Sequence, residues 1–271
     1  MFRSLLTTLA TTLLLTGCYV ELEPYPSYGS TSVTEFSSVF LTRTALMPYA
    51  LGANSIDMLA NPDDYLTPSA RALTRAVPIE TTSTYLFDSD TCSFGGYTAT
   101  EAFGDTETYA SGMTWVELGL TATATQCGTS SWLGLSTLNS RLVYDVRGWY
   151  DDAFDEIVSL DATLNGYLRL DSAHQSVKLS GLDVRVEELD ATDFRVLANA
   201  SVWMDDGRYF GNASLRTLEG VHWYRGATYP HAGRVRIESG YQWVELRFFS
   251  DGVSRRDSDG YYTYLPWWEF S

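Results

Sequence analysis

Thr114-Trp115-Val116-Glu117-Leu118-Gly119-Leu120-Thr121-Ala122-Thr123-Ala124-Thr125-Gln126 decides the fold class. On an extended chain Trp115, Glu117, Gly119, Thr121, Thr123 and Thr125 share one side, and Val116, Leu118, Leu120, Ala122 and Ala124 share the other. A period of two with one apolar side is a strand that covers a core with one face and turns the other to water. The same period recurs along the chain. It predicts strands over 81–87, 138–147, 155–163, 167–170, 175–179, 182–189, 194–203, 209–218, 221–225, 234–238 and 241–249. Turn signals separate them, among them Asp88-Ser89-Asp90, Asn165-Gly166, Ser180-Gly181, Asp205-Asp206-Gly207 and Ser239-Gly240. Short connections imply antiparallel neighbours, and the want of crossover helices excludes a doubly wound α/β sheet. The expected fold is mainly β: an antiparallel meander forming a curved sheet, a sandwich or a partly closed barrel.

Upstream of the strands the pattern is less β-like. Thr67-Pro68 sets a capping residue before a first-turn proline, and a short helix is expected from there to Val77, ahead of Pro78. An earlier helix is expected over Val39–Tyr49, where threonines and Pro48 argue against a long run. One or two short N-terminal helices would then cover an edge or end of the sheet. Internal echoes are brief: Thr137–Leu142 resembles Thr163–Leu168, and Gly181–Val186 resembles Gly233–Ile237. They fit two similar β units meeting near Asp190, and equally hairpins that reuse one turn chemistry.

Charge removes whole classes of partner. Lys plus Arg number 18 against 34 Asp plus Glu, a formal net charge of -16. Such a chain repels phosphate backbones and anionic lipid surfaces, so nucleic acid is not an expected partner. Of three cysteines, Cys92 and Cys127 are expected to form a disulfide, since no histidine lies near them to complete a metal set or a catalytic pair. On the chain-entropy account a loop of that length is worth about 3–4 kcal/mol.

The third cysteine belongs to a different feature. Residues 1–18 carry Arg3, an apolar run from Leu5 to Leu15, and small residues leading to Cys18, the layout of a secretory signal. The run is too short to span a bilayer, which takes about 20 residues. Leu15-Thr16-Gly17-Cys18 resembles the lipobox of bacterial lipoproteins. The resemblance implies cleavage after Gly17 and acylation of Cys18, and Tyr19 in place of the aspartate that retains such proteins in the inner membrane implies the outer membrane. It covers those few residues and implies nothing about the fold behind them. The domain organisation expected is a signal peptide over 1–17, an acylated N-terminus and flexible tether over 18–38, and a β-rich domain over 39–271 that faces the periplasm.

Motifs for chemistry are sparse. His222 and His231 stand nine apart across a loop, with no acid or cysteine at a spacing that completes a ligand set, and His174 stands apart from both. No nucleophile elbow is present, and Gly95-Gly96 lacks the lysine of a phosphate loop. Asp257-Ser258-Asp259-Gly260 resembles part of a calcium loop, but Arg255 and Arg256 precede it and no glutamate follows at the bidentate position; Asp257 and Asp259 are therefore a weak metal candidate. Asp151-Asp152 with Asp155-Glu156 reads as a solvated turn before it reads as a carboxylate pair. No cofactor is expected.

Aromatic residues carry more information, with 18 Tyr, 8 Trp and 12 Phe that thicken toward the C-terminus. On 241–249 Tyr241, Trp243, Glu245, Arg247 and Phe249 share one face, while Val244, Leu246 and Phe248 share the other. Tyr241, Trp243 and Phe249 are the candidate ligand or partner face. The expected function is a non-enzymatic envelope lipoprotein that binds an apolar or amphipathic ligand, or an envelope protein. The alternatives are a structural or assembly lipoprotein without a small ligand, and a hydrolase or binding module acting on envelope glycan.

Overall fold

The computed structural model describes residues 32–60, 80–109, 112–151, 153–154, 156–190 and 192–270. The expected short helix over 67–77 lies outside them. One helix, α1 (Ser38–Ala60), precedes twelve strands: β1 (Glu80–Thr91), β2 (Tyr97–Thr108), β3 (Met113–Ser131), β4 (Gly134–Asp151), β5 (Glu156–Ser172), β6 (Ser176–Glu188), β7 (Asp193–Asp205), β8 (Phe210–Tyr224), β9 (Ala232–Ser239), β10 (Gln242–Phe249), β11 (Gly252–Asp257) and β12 (Tyr262–Pro266). They pair in sequence order as one open antiparallel sheet, so the curved-sheet form of the meander is the one adopted. β6 and β7 pair directly across the turn at Asp190, within that same sheet.

The stretch at β3 behaves as its pattern dictates. Val116, Leu118, Leu120 and Ala124 are buried, and the threonine face points outward. β2 was not expected; its inward set includes Thr98, Thr100 and Ala102, too small to give a clear apolar stripe. Cys92, just past β1, is bonded to Cys127 on β3.

Three glycines read from the sequence as turns lie instead inside long strands. Gly166 sits within β5 and Gly181 within β6, each beside a shift of register, and Gly220 sits within β8 inside the shift between Glu219 and His222. Gly166 has φ 139°, and a side chain there would lie 2.0 Å from the Arg141 carbonyl oxygen. These are bulges, which bend a strand and raise its twist without ending it. β7 and β8 lose register between Val196 and Asn199, so the irregularities form a row across the middle of the sheet. The row curves the sheet around α1.

α1 runs past Tyr49 to Ala60 with Pro48 inside it. A proline in a helix interior costs about 3 kcal/mol. Burial outweighs that cost. Phe40, Leu41, Leu46, Met47, Leu51, Ile56, Met58 and Leu59 are all buried, each worth about 1.5–3 kcal/mol. No residue of the helix is exposed, and it packs on β4, β5, β6, β7 and β8. Ser37 caps its start by accepting the Phe40 N–H at 3.2 Å.

The segments on either side of the fold fasten the helix: the residues just before it, and β11 with the C-terminal turn. Val33 and Phe36, in the stretch read as tether, are buried, and the Arg255 guanidinium donates to the carbonyls of Thr34 at 2.6 Å and Phe36 at 2.8 Å. Arg43 on the helix donates to the Phe270 carbonyl at 3.2 Å. Trp267 and Phe270 are buried, and Trp267 stacks on Tyr229 at 4.6 Å, so the aromatic tail tucks against the body.

Gly52 marks the closest approach of helix to sheet. A side chain there would meet Val184 at 2.7 Å, Val196 at 3.0 Å and Val186 at 3.3 Å, three branched groups with little freedom to move. Gly52→Ile is expected to lower stability by about 2–3 kcal/mol through overpacking, read as a drop in the thermal midpoint. An unchanged midpoint would refute this seating of α1.

Candidate functional site

α1 covers the inner face of the sheet over β4–β8, and the outer face and the ends of those strands carry the exposed side chains. The face expected on β10 is present. Val244, Leu246 and Phe248 are buried inward, while Tyr241 at the hairpin tip is fully exposed and Trp243 and Phe249 are half-buried on the outer side. The rings do not form a continuous apolar surface. The Arg236 guanidinium lies 4.8 Å from the Trp243 ring centre, and that of Arg247 lies 5.4 Å from Phe249. Glu245 joins Arg236 at 3.0 Å to Arg234 at 3.1 Å, and Arg234 reaches Glu219 at 2.8 Å. Each pair at this half-buried surface contributes modestly alone. Together they fix the long side chains over β8, β9 and β10.

A second outer-face feature is a depression of about 300 Å³. Its floor is a cross-strand row, Arg169 on β5 beside Lys178 on β6 beside Trp203 on β7 beside Asn212 on β8, with Ser180 and Ser201 next along. Lys178 is the only lysine in the chain. The sequence alone does not assemble these residues, because four strands supply them.

The weak calcium candidate has another employment. Asp257 is buried; its Oδ1 accepts the N–H groups of Asp259 at 3.2 Å and Tyr261 at 2.9 Å, and its Oδ2 faces the Arg255 guanidinium at 3.4 Å. It closes the β11–β12 hairpin and balances a buried arginine, while Asp259 stays exposed. Burial pushes the Arg255 guanidinium below its ordinary range, and Asp257 pulls it back. At the β4–β5 turn, Asp151 Oδ1 accepts the N–H of Ala153 at 2.9 Å, in keeping with a solvated turn.

His222 and His231 do come together, and a third residue joins them. Asp193 opens β7, opposite Tyr224 of β8, and Arg195 lies opposite His222, so Asp193 and His222 share the outer face as diagonal neighbours. His222 Nδ1 lies 3.2 Å from Asp193 Oδ2, and His231 Nε2 lies 3.6 Å from the same oxygen. The three donor atoms all lie within 4.8 Å of one another, the one such group of three among the described residues. Asp190 holds the turn before β7: its Oδ1 accepts the N–H of Thr192 at 2.9 Å and of Asp193 at 2.8 Å, which keeps its carboxyl below the usual range. His231 donates its backbone N–H to the His222 carbonyl at 3.1 Å, and its ring stacks on Tyr224 at 3.8 Å. Asp193 escaped the sequence reading because it stands 29 residues before His222. Only strand pairing makes them neighbours.

No family model, curated protein or solved structure matches the chain. Cys18 lies outside the described residues, and no helix among those described is long and apolar enough to cross a membrane.

Arg255→Met would leave the Asp257 carboxylate buried beside an apolar group and free two carbonyls at the start of α1. A loss of about 3–5 kcal/mol is expected in urea denaturation, the range for breaking one side of a buried pair. The double change Arg255→Met, Asp257→Asn should recover part of it. A single variant as stable as the parent would remove Arg255 as the fastening of α1.

Proposed function

We propose that this chain is a lipid-anchored protein of the outer membrane, facing the periplasm, whose β domain acts without catalysis by presenting its outer sheet face to an envelope partner. The observation that carries the reading is the occupation of the concave face. A carrier of apolar cargo keeps an open apolar groove on its concave side, whereas over β4–β8 α1 takes that place and has no exposed residue among those described. The assembly or partner-binding form of the lipoprotein is therefore preferred to the carrier form. The Cys92–Cys127 disulfide supports an oxidising compartment. The lipobox resemblance at Leu15-Thr16-Gly17-Cys18 supports the anchor. Cys18→Ser is expected to abolish acylation and move the protein from the membrane fraction to the soluble periplasm. Persistence of the variant in membranes would overturn the anchor.

The depression at Trp203 favours a second reading, in which the partner is an acidic envelope glycan. An indole face beside Arg169, Lys178 and Asn212 offers stacking, charge and hydrogen bonds to one sugar carrying a carboxylate. Titration with acidic glycan fragments should quench the intrinsic tryptophan fluorescence. Trp203→Ala should weaken binding at least about tenfold, the size of one anchoring aromatic contact. Binding that survives the change unaltered would exclude this surface.

A further inference from the structure

We propose that Asp193, His222 and His231 form a binding site for one divalent transition-metal ion, of which zinc is the best match, a property that goes beyond the partner-binding role. Two imidazole nitrogens and one carboxylate oxygen are a donor set suited to zinc, and they leave a fourth position for water or a donor from a partner. Calcium and magnesium, which take oxygen ligands, do not fit it.

The two separations from Asp193 favour this site over a purely hydrogen-bonded triad. In a tetrahedral zinc site with metal–ligand bonds of about 2.0–2.2 Å, neighbouring donors stand roughly 3.3–3.5 Å apart. The two separations from Asp193 Oδ2, 3.2 Å and 3.6 Å, bracket that edge. As hydrogen bonds only the His222 contact qualifies, since 3.6 Å is beyond the range of a real N–H···O bond. Asp193 Oδ1 is also buried and meets no hydrogen-bond partner among the described residues. A cation between the three residues engages His231 and gives the whole carboxylate a counter-charge.

The donors are held before any ion arrives. Asp193 is fixed by the Asp190 turn and by its own carbonyl, which accepts the N–H of Leu189 at 2.9 Å. His222 stands on a paired strand, and His231 is set by its backbone bond to His222 and by the Tyr224 ring. Two ligands on strands and one on a pinned loop make a site that needs little reorganisation.

The test uses the full chain, stripped with EDTA and titrated with zinc chloride by calorimetry. One saturable zinc per chain is expected, with a thermal midpoint that rises with zinc and falls back with EDTA. Cobalt should give the intense visible absorption of a tetrahedral N/O site. His222→Ala and His231→Ala should each weaken zinc by more than about a hundredfold, exceeding the effect of losing an outer-shell group, while His174→Ala leaves it unchanged. Asp193→Asn conserves shape, so it reports the loss of the carboxylate charge even where a histidine variant is unstable; circular dichroism in EDTA confirms its fold. Absence of saturable binding overturns the proposal. So does wild-type zinc affinity in Asp193→Asn or in the double histidine variant, which would place the ion on surface carboxylates.

Discussion

The seating of α1 in the hollow of the sheet is the constraint on which the rest depends. A helix carrying Phe40, Leu41, Leu46, Met47, Leu51, Ile56, Met58 and Leu59 exposes too much apolar surface to stand alone, and a curved sheet with Val177, Leu179, Val184, Val186, Val196 and Val202 turned inward has the same difficulty. Each covers the other. Gly52 sets how near they come, and the two buried arginines set the helix along its axis, Arg43 toward Phe270 and Arg255 toward Thr34 and Phe36. The segment just before α1 and the C-terminal segment are thus both tied to the helix region, in an architecture whose strands otherwise pair only with sequence neighbours.

Bending the sheet breaks backbone pairing, and the broken groups must be satisfied elsewhere. Thr217 does this at the bulge between β7 and β8. Its hydroxyl accepts the Ala198 N–H at 2.7 Å and donates to the Ala198 carbonyl at 3.1 Å, replacing both ladder bonds with one side chain. The remaining lone pair takes the Tyr49 hydroxyl of α1 at 2.8 Å. Tyr49 is buried, which pushes its phenol well above the ordinary range, so it serves here as a neutral donor. The polar atom that mends the bend is also the one that receives the helix.

Much of this was legible in the sequence and some was not, for reasons that can be named. Alternation in β3 and β10 specified both faces, since burial there follows local period alone. α1 stops short in a local reading because Pro48 and the threonines weigh against it, whereas its length comes from burial against strands far along the chain. Gly166, Gly181 and Gly220 look like turns because glycine marks a turn and a bulge with the same letter; only register tells them apart. β2 hides because threonine and alanine alternate with little contrast. The histidine pair was visible, and Asp193 was not, because a diagonal neighbour across two strands has no fixed spacing in sequence.

The diagonal itself comes from regular pairing of β7 with β8, and the bend touches the cluster through His231. β8 and β9 slip in register between Thr217 and Glu219 and again between Glu219 and His222, so the irregular stretch that begins under Tyr49 ends at the first histidine. Bulges redirect the side chains that follow them. Beyond the two shifts the ladder closes on one pair, His222 opposite Ala232, and the His231 N–H bond to the His222 carbonyl brings His231 beside it. The cluster thus joins two kinds of geometry, a regular diagonal that sets Asp193 by His222 and an irregular β8–β9 ladder whose last pair sets His231.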